Sequence, residues 1–284
     1  MNPRRKKFAA SIATFLLVAL LVLATPLGAQ PTITTCTSGL FGADMVLRDG
    51  NPHDGFIAAG SVVKHISSVS PGSGSCTFGP LLPDIALGAV ASWGVTLDND
   101  GNLYVAVGSN LAAITTILQI APPYTGTPTV FYSGGTSLRS LARHGNIFYA
   151  ADYFAGKILR FDLKIGPSSV TTFAVTDVFG LWAAGVDDLF VTSNNFGEVT
   201  HVTSTGISTV ATGLSLPEGI GSDDVNLYIA AGGVIFTVPV TGGVPSFYAG
   251  SPIMFSHGVT VWKGVGYVTD SQSPPQVNKF TLLP

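Results

Sequence analysis

The run Gly94-Val-Thr-Leu-Asp-Asn-Asp-Gly-Asn-Leu-Tyr-Val-Ala106 decides the fold. It reads as a short β-strand, a polar Asp/Asn/Gly turn and a second strand of β-formers, which is the pattern of a hairpin. The line recurs, loosely, as Gly180-Leu-Trp-Ala-Ala-Gly-Val-Asp-Asp-Leu-Phe-Val-Thr192, as Gly219-Ile-Gly-Ser-Asp-Asp-Val-Asn-Leu-Tyr-Ile-Ala230 and as Gly258-Val-Thr-Val-Trp-Lys-Gly-Val-Gly-Tyr-Val-Thr269. Weaker copies run from Ser140 to Ala150 and from Asp44 to Ala58, which makes six.

Two more strands follow the hairpin in most units. In the third unit they are Lys157-Ile-Leu-Arg-Phe161 and Ser169-Val-Thr-Thr-Phe173, and in the fourth Glu198-Val-Thr-His-Val202 and Gly206-Ile-Ser-Thr-Val210. Four strands in about 40 residues is the period of a propeller blade. The expected fold is therefore all-β, a six-bladed β-propeller of four-stranded blades that occupies residues 30–284 as one domain. A β-sandwich is the rival, and recurrence of one Gly-to-Tyr/Phe pattern in every unit disfavours it. The last unit stops after Val277-Asn-Lys-Phe-Thr-Leu282 without a fourth strand, whereas Thr32-Ile-Thr-Thr-Cys-Thr37 is an orphan strand near the other end. The amino-terminal segment is expected to complete the sixth blade, closing the ring and removing its open sheet edges.

Composition agrees with many short strands and turns. Of 284 residues, 46% are hydrophobic and 10% charged, with 34 Gly and 2 Cys, which excludes a disordered chain, a coiled coil and a disulfide scaffold. Residues 1–29 differ in kind: Arg4, Arg5, Lys6 and Lys7 precede an apolar run from Phe8 to Ala24, the profile of a signal peptide cleaved after Ala29. A retained anchor is the alternative, and its 17 apolar residues are at the bottom of the membrane-spanning range. Four of the 13 basic residues and none of the 16 acidic ones lie in that segment, so the remainder carries 9 basic groups against 16 acidic, net −7. A secreted or periplasmic monomer is expected, with no nucleic-acid partner and no membrane span after signal cleavage. Cys36 and Cys76, the whole cysteine complement, are expected to form a disulfide between the closing strand and the first blade.

Tyr149-Ala-Ala-Asp-Tyr-Phe-Ala-Gly-Lys-Ile-Leu-Arg-Phe161 resembles the NHL repeat, and Tyr267-Val-Thr-Asp270 repeats its start. Residues 30–284 are similar to the wider six-bladed superfamily of NHL-repeat proteins, gluconolactonase-like (senescence marker protein type) enzymes, strictosidine synthase-like proteins and virginiamycin B lyase. The likeness is to a repeat grammar, and it implies fold more than function. It also implies that the residue before each inner-strand Gly, or its equivalent, lines the mouth of the central channel. Those residues are Ala43, Trp93, Arg139, Phe179, Glu218 and His257, and the loops behind them carry Asp152, Asn194, Asn195 and Asp270. Gluconolactonase-like enzymes hold a divalent cation there with Glu, two Asn and Asp, a set this ring does not reproduce. No cofactor is required by the sequence, and Ca or Mg enters only if that part of the resemblance carries over.

Glu218 and His257 are the acid/base candidates, because a carboxylate beside an imidazole orients it and raises its basicity. The alternative is a hydrogen-bonded plug of the channel. Arg139 is suited to an anionic group, or else to a salt bridge with a loop carboxylate such as Asp152. Trp93 and Phe179 offer an aromatic platform for a flat ligand or sugar ring, or else pack in the core. Asp98, Asp187-Asp188 and Asp223-Asp224 share one turn position, which argues for turn chemistry and against a calcium loop. Two functions stay open: a propeller that binds a small molecule, glycan or protein at the channel mouth, and a hydrolase or lyase acting through Glu218 and His257.

Overall fold

The computed structural model describes residues 31, 33–38, 42–48, 54–69, 78–79, 81–89, 91–250, 256–271 and 275–282. Residues 1–30 and Cys76 lie outside the described residues, and with them the expected signal peptide, its expected cleavage site and the expected disulfide. Six four-stranded antiparallel sheets form the six blades, and the single helical element is a 3-10 turn at Pro167–Ser169 among the described residues. The inner strands, in order from blade 1 to blade 6, are Asp44–Leu47, Ala91–Leu97, Leu138–His144, Val178–Gly185, Pro217–Ser222 and Ser256–Trp262.

The repeated line makes blades because its two halves meet different surroundings. The second strand of each unit has neighbouring blades on both faces and so reads as a continuous apolar run: all of Ile147–Asp152 is buried, as are the first five residues of Leu103–Gly108. Fourth strands face solvent and are polar, as in Thr171–Ala174 and Gly206–Thr212. Each blade packs face to face on the next, so the apolar core is divided into six clusters, one at every interface between blades. The last of these joins Met45, Ile57 and Ile66 of blade 1 to Val265, Tyr267 and Val277 of blade 6. Ring closure follows the expected route. Ile33–Ser38 pairs antiparallel with Gln276–Thr281, setting Ile33 opposite Phe280 and Ser38 opposite Gln276.

The glycine that opens four of the six copies has a physical cause. In blades 2 to 6 the inner strand carries an extra residue relative to its partner where it passes the channel residue and its successor, between Ser92/Val95, Leu138/Leu141, Val178/Leu181, Pro217/Ile220 and Ser256/Val259, and blade 4 has a second shift between Ala183 and Gly185. Such a bulge bends the strand and re-aims a side chain. In the four glycine blades the inner strands of consecutive blades also approach so closely that a Cβ on the residue after the channel side chain would strike the next strand. A Cβ on Gly180 would stand 2.0 Å from the Glu218 carbonyl oxygen, and one on Gly219 2.1 Å from that of His257. On Gly94 it would meet the Leu141 nitrogen at 2.8 Å.

Two blades carry a polar side chain at this position instead, and both use it to bond the next inner strand. Leu181 N–H donates to Ser140 Oγ at 3.1 Å, and Val95 N–H to Asp44 Oδ2 at 3.2 Å. In two of the glycine blades a threonine from the second strand makes the link. Thr192 Oγ1 accepts from Gly180 N–H and donates to the Glu218 carbonyl, and Thr269 Oγ1 does the same for Gly258 and Ala43. These clips fix how the inner strands sit against one another, and so fix the channel.

Candidate functional site at the channel mouth

All six residues before the inner-strand Gly or its equivalent line one central channel of about 200 Å³, whose lining runs along the inner strands. The strand registers put the loops between second and third strands at the end where the inner strands begin, since Leu138 pairs with Asp152 and Ser256 with Asp270. The ring therefore gathers residues far apart in sequence around one channel.

Glu218 and His257 come from consecutive blades, and the close approach of their strands at Gly219 brings the side chains together. His257 Nδ1 is hydrogen-bonded to Glu218 Oε2. The other ring nitrogen, Nε2, lies 2.9 Å from Ser271 Oγ, on the loop that follows the second strand of blade 6. One tautomer satisfies both contacts with Glu218 ionised: Nδ1–H donates to the carboxylate while Nε2 accepts from the serine hydroxyl. The imidazole is 16% exposed and the carboxylate 22%, so both are reachable from the channel yet largely removed from bulk water.

Arg139 lies on the aromatic side of the ring. Its guanidinium carbon sits 4.5 Å from the centre of the Trp93 ring, 5.8 Å from Phe179 and 6.0 Å from Tyr153. Trp93 also meets Phe179 edge to face at 6.1 Å and His257 at 5.0 Å. The aromatic residues thus hold the guanidinium from several sides, a cation–π arrangement that fixes its orientation. Arg139 Nε is buried without a hydrogen-bond acceptor among the described residues. Burial pulls this guanidinium below its ordinary pKa, while the nearby Glu218 charge and Tyr153 oppose that shift. A desolvated cationic donor with no acceptor is a group that an incoming anion would relieve.

The loop residues have partners within the protein. Asp152 is fully buried, does not line the channel, and accepts from Thr136 N–H, Thr136 Oγ1 and Ser137 N–H, so it pins the turn that leads into the inner strand of blade 3. Its other oxygen faces Lys157 at 4.0 Å, and no ion pair joins it to Arg139 among the described residues. Asp270 occupies the equivalent place in blade 6 and is also fully buried. Asn195 is clipped to Asp177 through Nδ2 at 2.6 Å and donates to Tyr153 Oη at 2.7 Å, and Asn194 reaches the Pro217 carbonyl at 3.4 Å. The shared-turn aspartates are turn residues: Asp98 accepts from Asp100 N–H and Asn102 N–H, Asp223 accepts from Val225 N–H and Asn226 N–H, and Asp187 and Asp224 adopt positive φ.

Three residues of the site escaped the sequence reading. Asp44 follows Ala43 where four other blades have Gly, and that substitution was its visible signal. It is half-buried in the channel wall, with its carboxylate accepting from Met45 N–H and Val95 N–H. Burial pushes the carboxyl up to about 7, against the lowering effect of those two donors and of His257. Tyr153 and Ser271 follow Asp152 and Asp270 in equivalent loops, but nothing in their spacing marks them as neighbours of Arg139 and His257.

Among the described residues no group of three or more His, Cys, Asp or Glu side chains is placed to hold a metal ion, and the Arg139 cation shares the channel with Glu218. No helix among the described residues is long and apolar enough to cross a membrane.

No protein-family profile and no curated protein sequence matches the chain. Solved structures do. A catalytically inactive virginiamycin B lyase from Staphylococcus aureus, crystallised with quinupristin, is 14% identical with TM-score 0.58, over 85% of this chain and 82% of that one. A structure of the nidogen/laminin complex is 15% identical with TM-score 0.64, over 76% and 84%. An auxiliary nutrient-binding protein from Bacteroides ovatus is 12% identical with TM-score 0.64, over 86% and 70%. At such identities the likeness is one of architecture, and it agrees with the strand topology that the chain is a six-bladed β-propeller.

Proposed function

We propose that this chain is an exported propeller whose channel mouth binds a small anionic ligand, with a carboxylate seated on Arg139 and a flat ring or sugar against the aromatic wall. The observation that carries the reading is the Arg139 guanidinium, held by Trp93, Phe179 and Tyr153 with its buried Nε unused. Trp93 and Phe179 serve the guanidinium first and the ligand second, because their contacts set the direction in which its donors point. Similarity of fold to a nutrient-binding protein is compatible with this role. A thermal-shift series tests it, using benzoate and glucuronate as probes and benzamide and glucose as neutral counterparts. Ligands that bind only the folded state raise Tm with concentration. Stabilisation by the carboxylates and not by the neutral partners supports the reading, and equal responses to both members of each pair overturn it.

A second reading, acid/base catalysis, is favoured by the hydrogen bond between His257 Nδ1 and Glu218. Glu218 fixes the tautomer and orientation of the imidazole, leaving Nε2 as the group that takes or gives a proton. Neither step needs a metal ion in this arrangement. Hydrolysis or elimination that falls on both Glu218→Gln and His257→Gln, with folding intact, is the outcome this reading requires.

A further inference from the structure

The contact that the acid/base reading leaves unused is the one on the far side of His257. Ser271 Oγ stands 2.9 Å from Nε2, while Nδ1 is bonded to Glu218 Oε2. Carboxylate, imidazole and hydroxyl are thus in series, contributed by the inner strand of blade 5, the inner strand of blade 6 and the loop after the second strand of blade 6. That is the constellation that activates a serine nucleophile: a base within hydrogen-bond reach of the hydroxyl, and a third group that orients the base. The arrangement is recognised by geometry and roles, whatever the fold or the order in the chain. Ser271 is half-buried and follows directly on the second strand of blade 6.

We infer that Ser271 is the nucleophile of a serine-type esterase, acting on a small carboxylic ester that carries a second, anionic group. The inference rests on the Glu218–His257 pair being an acid/base unit. In the first step Ser271 Oγ bonds to the ester carbonyl carbon, and its proton passes to His257 Nε2. The carbon–oxygen bond to the alcohol then breaks, and the leaving alkoxide takes that proton. Water attacks the acyl-serine, with His257 accepting its proton and returning it to Ser271, so that ester and water yield acid and alcohol. Glu218 remains ionised throughout, holding Nδ1–H and stabilising the imidazolium. Arg139 is one aromatic ring away, since Trp93 touches both its guanidinium and the His257 ring. It gives the anionic end of the ester an anchor, which is why the substrate class is an ester with a second negative group.

The test uses the whole chain and a fluorophosphonate, diisopropyl fluorophosphate, followed by intact mass and peptide mapping. The expected result is one diisopropylphosphoryl group per chain, mapped to Ser271 and absent in Ser271→Ala. Turnover of 4-nitrophenyl acetate should fall on the order of 10³-fold or more in Ser271→Ala and in His257→Gln, as for members of other triads. Labelling of the unmodified chain keeps the test independent of whether a variant folds. Turnover that depends on His257 and Glu218 but survives Ser271→Ala with no adduct overturns the serine while leaving the acid/base reading standing. Absence of both adduct and turnover overturns the serine and that reading together.

Discussion

Gly219→Ala should damage stability and the site at once, because one contact serves both. The added Cβ would lie 2.1 Å from the His257 carbonyl oxygen, 2.6 Å from Val259 N and 2.8 Å from Gly258 C, all backbone atoms of the next inner strand. Relief requires the two strands to separate by roughly 1 Å, and overpacking of this kind costs about 1–3 kcal/mol, with the upper end apt where the obstacle is backbone. At about 2–4 °C per kcal/mol for a domain of this size, Tm should fall by roughly 6–12 °C. The same separation pulls Glu218 away from His257, so the Nδ1 proton should lose the signature of a strong hydrogen bond in the nitrogen and proton NMR of the imidazole. Gly126→Ala is the control: nothing lies within 4 Å of the position its methyl group would take, and the change should stay within about 0.5 kcal/mol. Calorimetric unfolding of both variants checks the pair. A Gly219→Ala protein that melts with the native chain would mean that the strands do not approach as described, and that the bulge is not what aims Glu218 and His257.

Other perturbations probe the remaining links. Asp44 binds its proton more tightly in the folded chain, with a pKa raised from 3.8 to about 7, so its contribution to stability is complete below about pH 4 and lost as pH rises through about 7. At about 1.4 kcal/mol per tenfold in proton affinity that contribution is at most about 4 kcal/mol, reduced by water in the channel. Asp44→Asn should therefore flatten the decline of Tm between pH 4 and pH 8, and an unchanged pH profile would remove Asp44 from the titrating groups. Thr192→Val keeps the side-chain shape but deprives Gly180 N–H and the Glu218 carbonyl of their shared partner, which should cost about 1–3 kcal/mol in urea unfolding. Deleting residues 31–38 uncovers the edge of Gln276–Thr281, including the fully buried Val277 and Phe280, and should yield aggregated or strongly destabilised protein by light scattering.

The architecture was legible because each blade repeats the same compromise. Leu103-Tyr104-Val105-Ala106 and Leu227-Tyr228-Ile229-Ala230 read as strands buried on two faces, and the glycines at 94, 180, 219 and 258 mark a close approach that no side chain fits. The ring residues were legible by the same repeat, since the bulge falls at one place in blades 2 to 6. The repeat could not show where a blade departs from it. Asp44 fills a glycine position with a carboxylate that bonds the next strand, and only its partner, Val95 N–H, explains how it is accommodated. Asp152 and Asp270 stand at loop edges in sequence, yet the pairing of the second strand buries them completely. Ser271 holds the loop position that Tyr153 holds in blade 3, and its meeting with His257 is a matter of loop geometry that spacing does not encode.

The central claim is that Arg139 is a preorganised anion site, and titration calorimetry of benzoate and glucuronate into the native chain, Arg139→Gln and Arg139→Lys measures it most directly. A charge-assisted hydrogen bond is worth about 1.5–3 kcal/mol, so Arg139→Gln should weaken carboxylate binding by roughly 10- to 150-fold. Arg139→Lys, which keeps the charge but loses the planar fork and its stacking on Trp93, should fall between the two. Equal carboxylate affinity in all three proteins would contradict the claim.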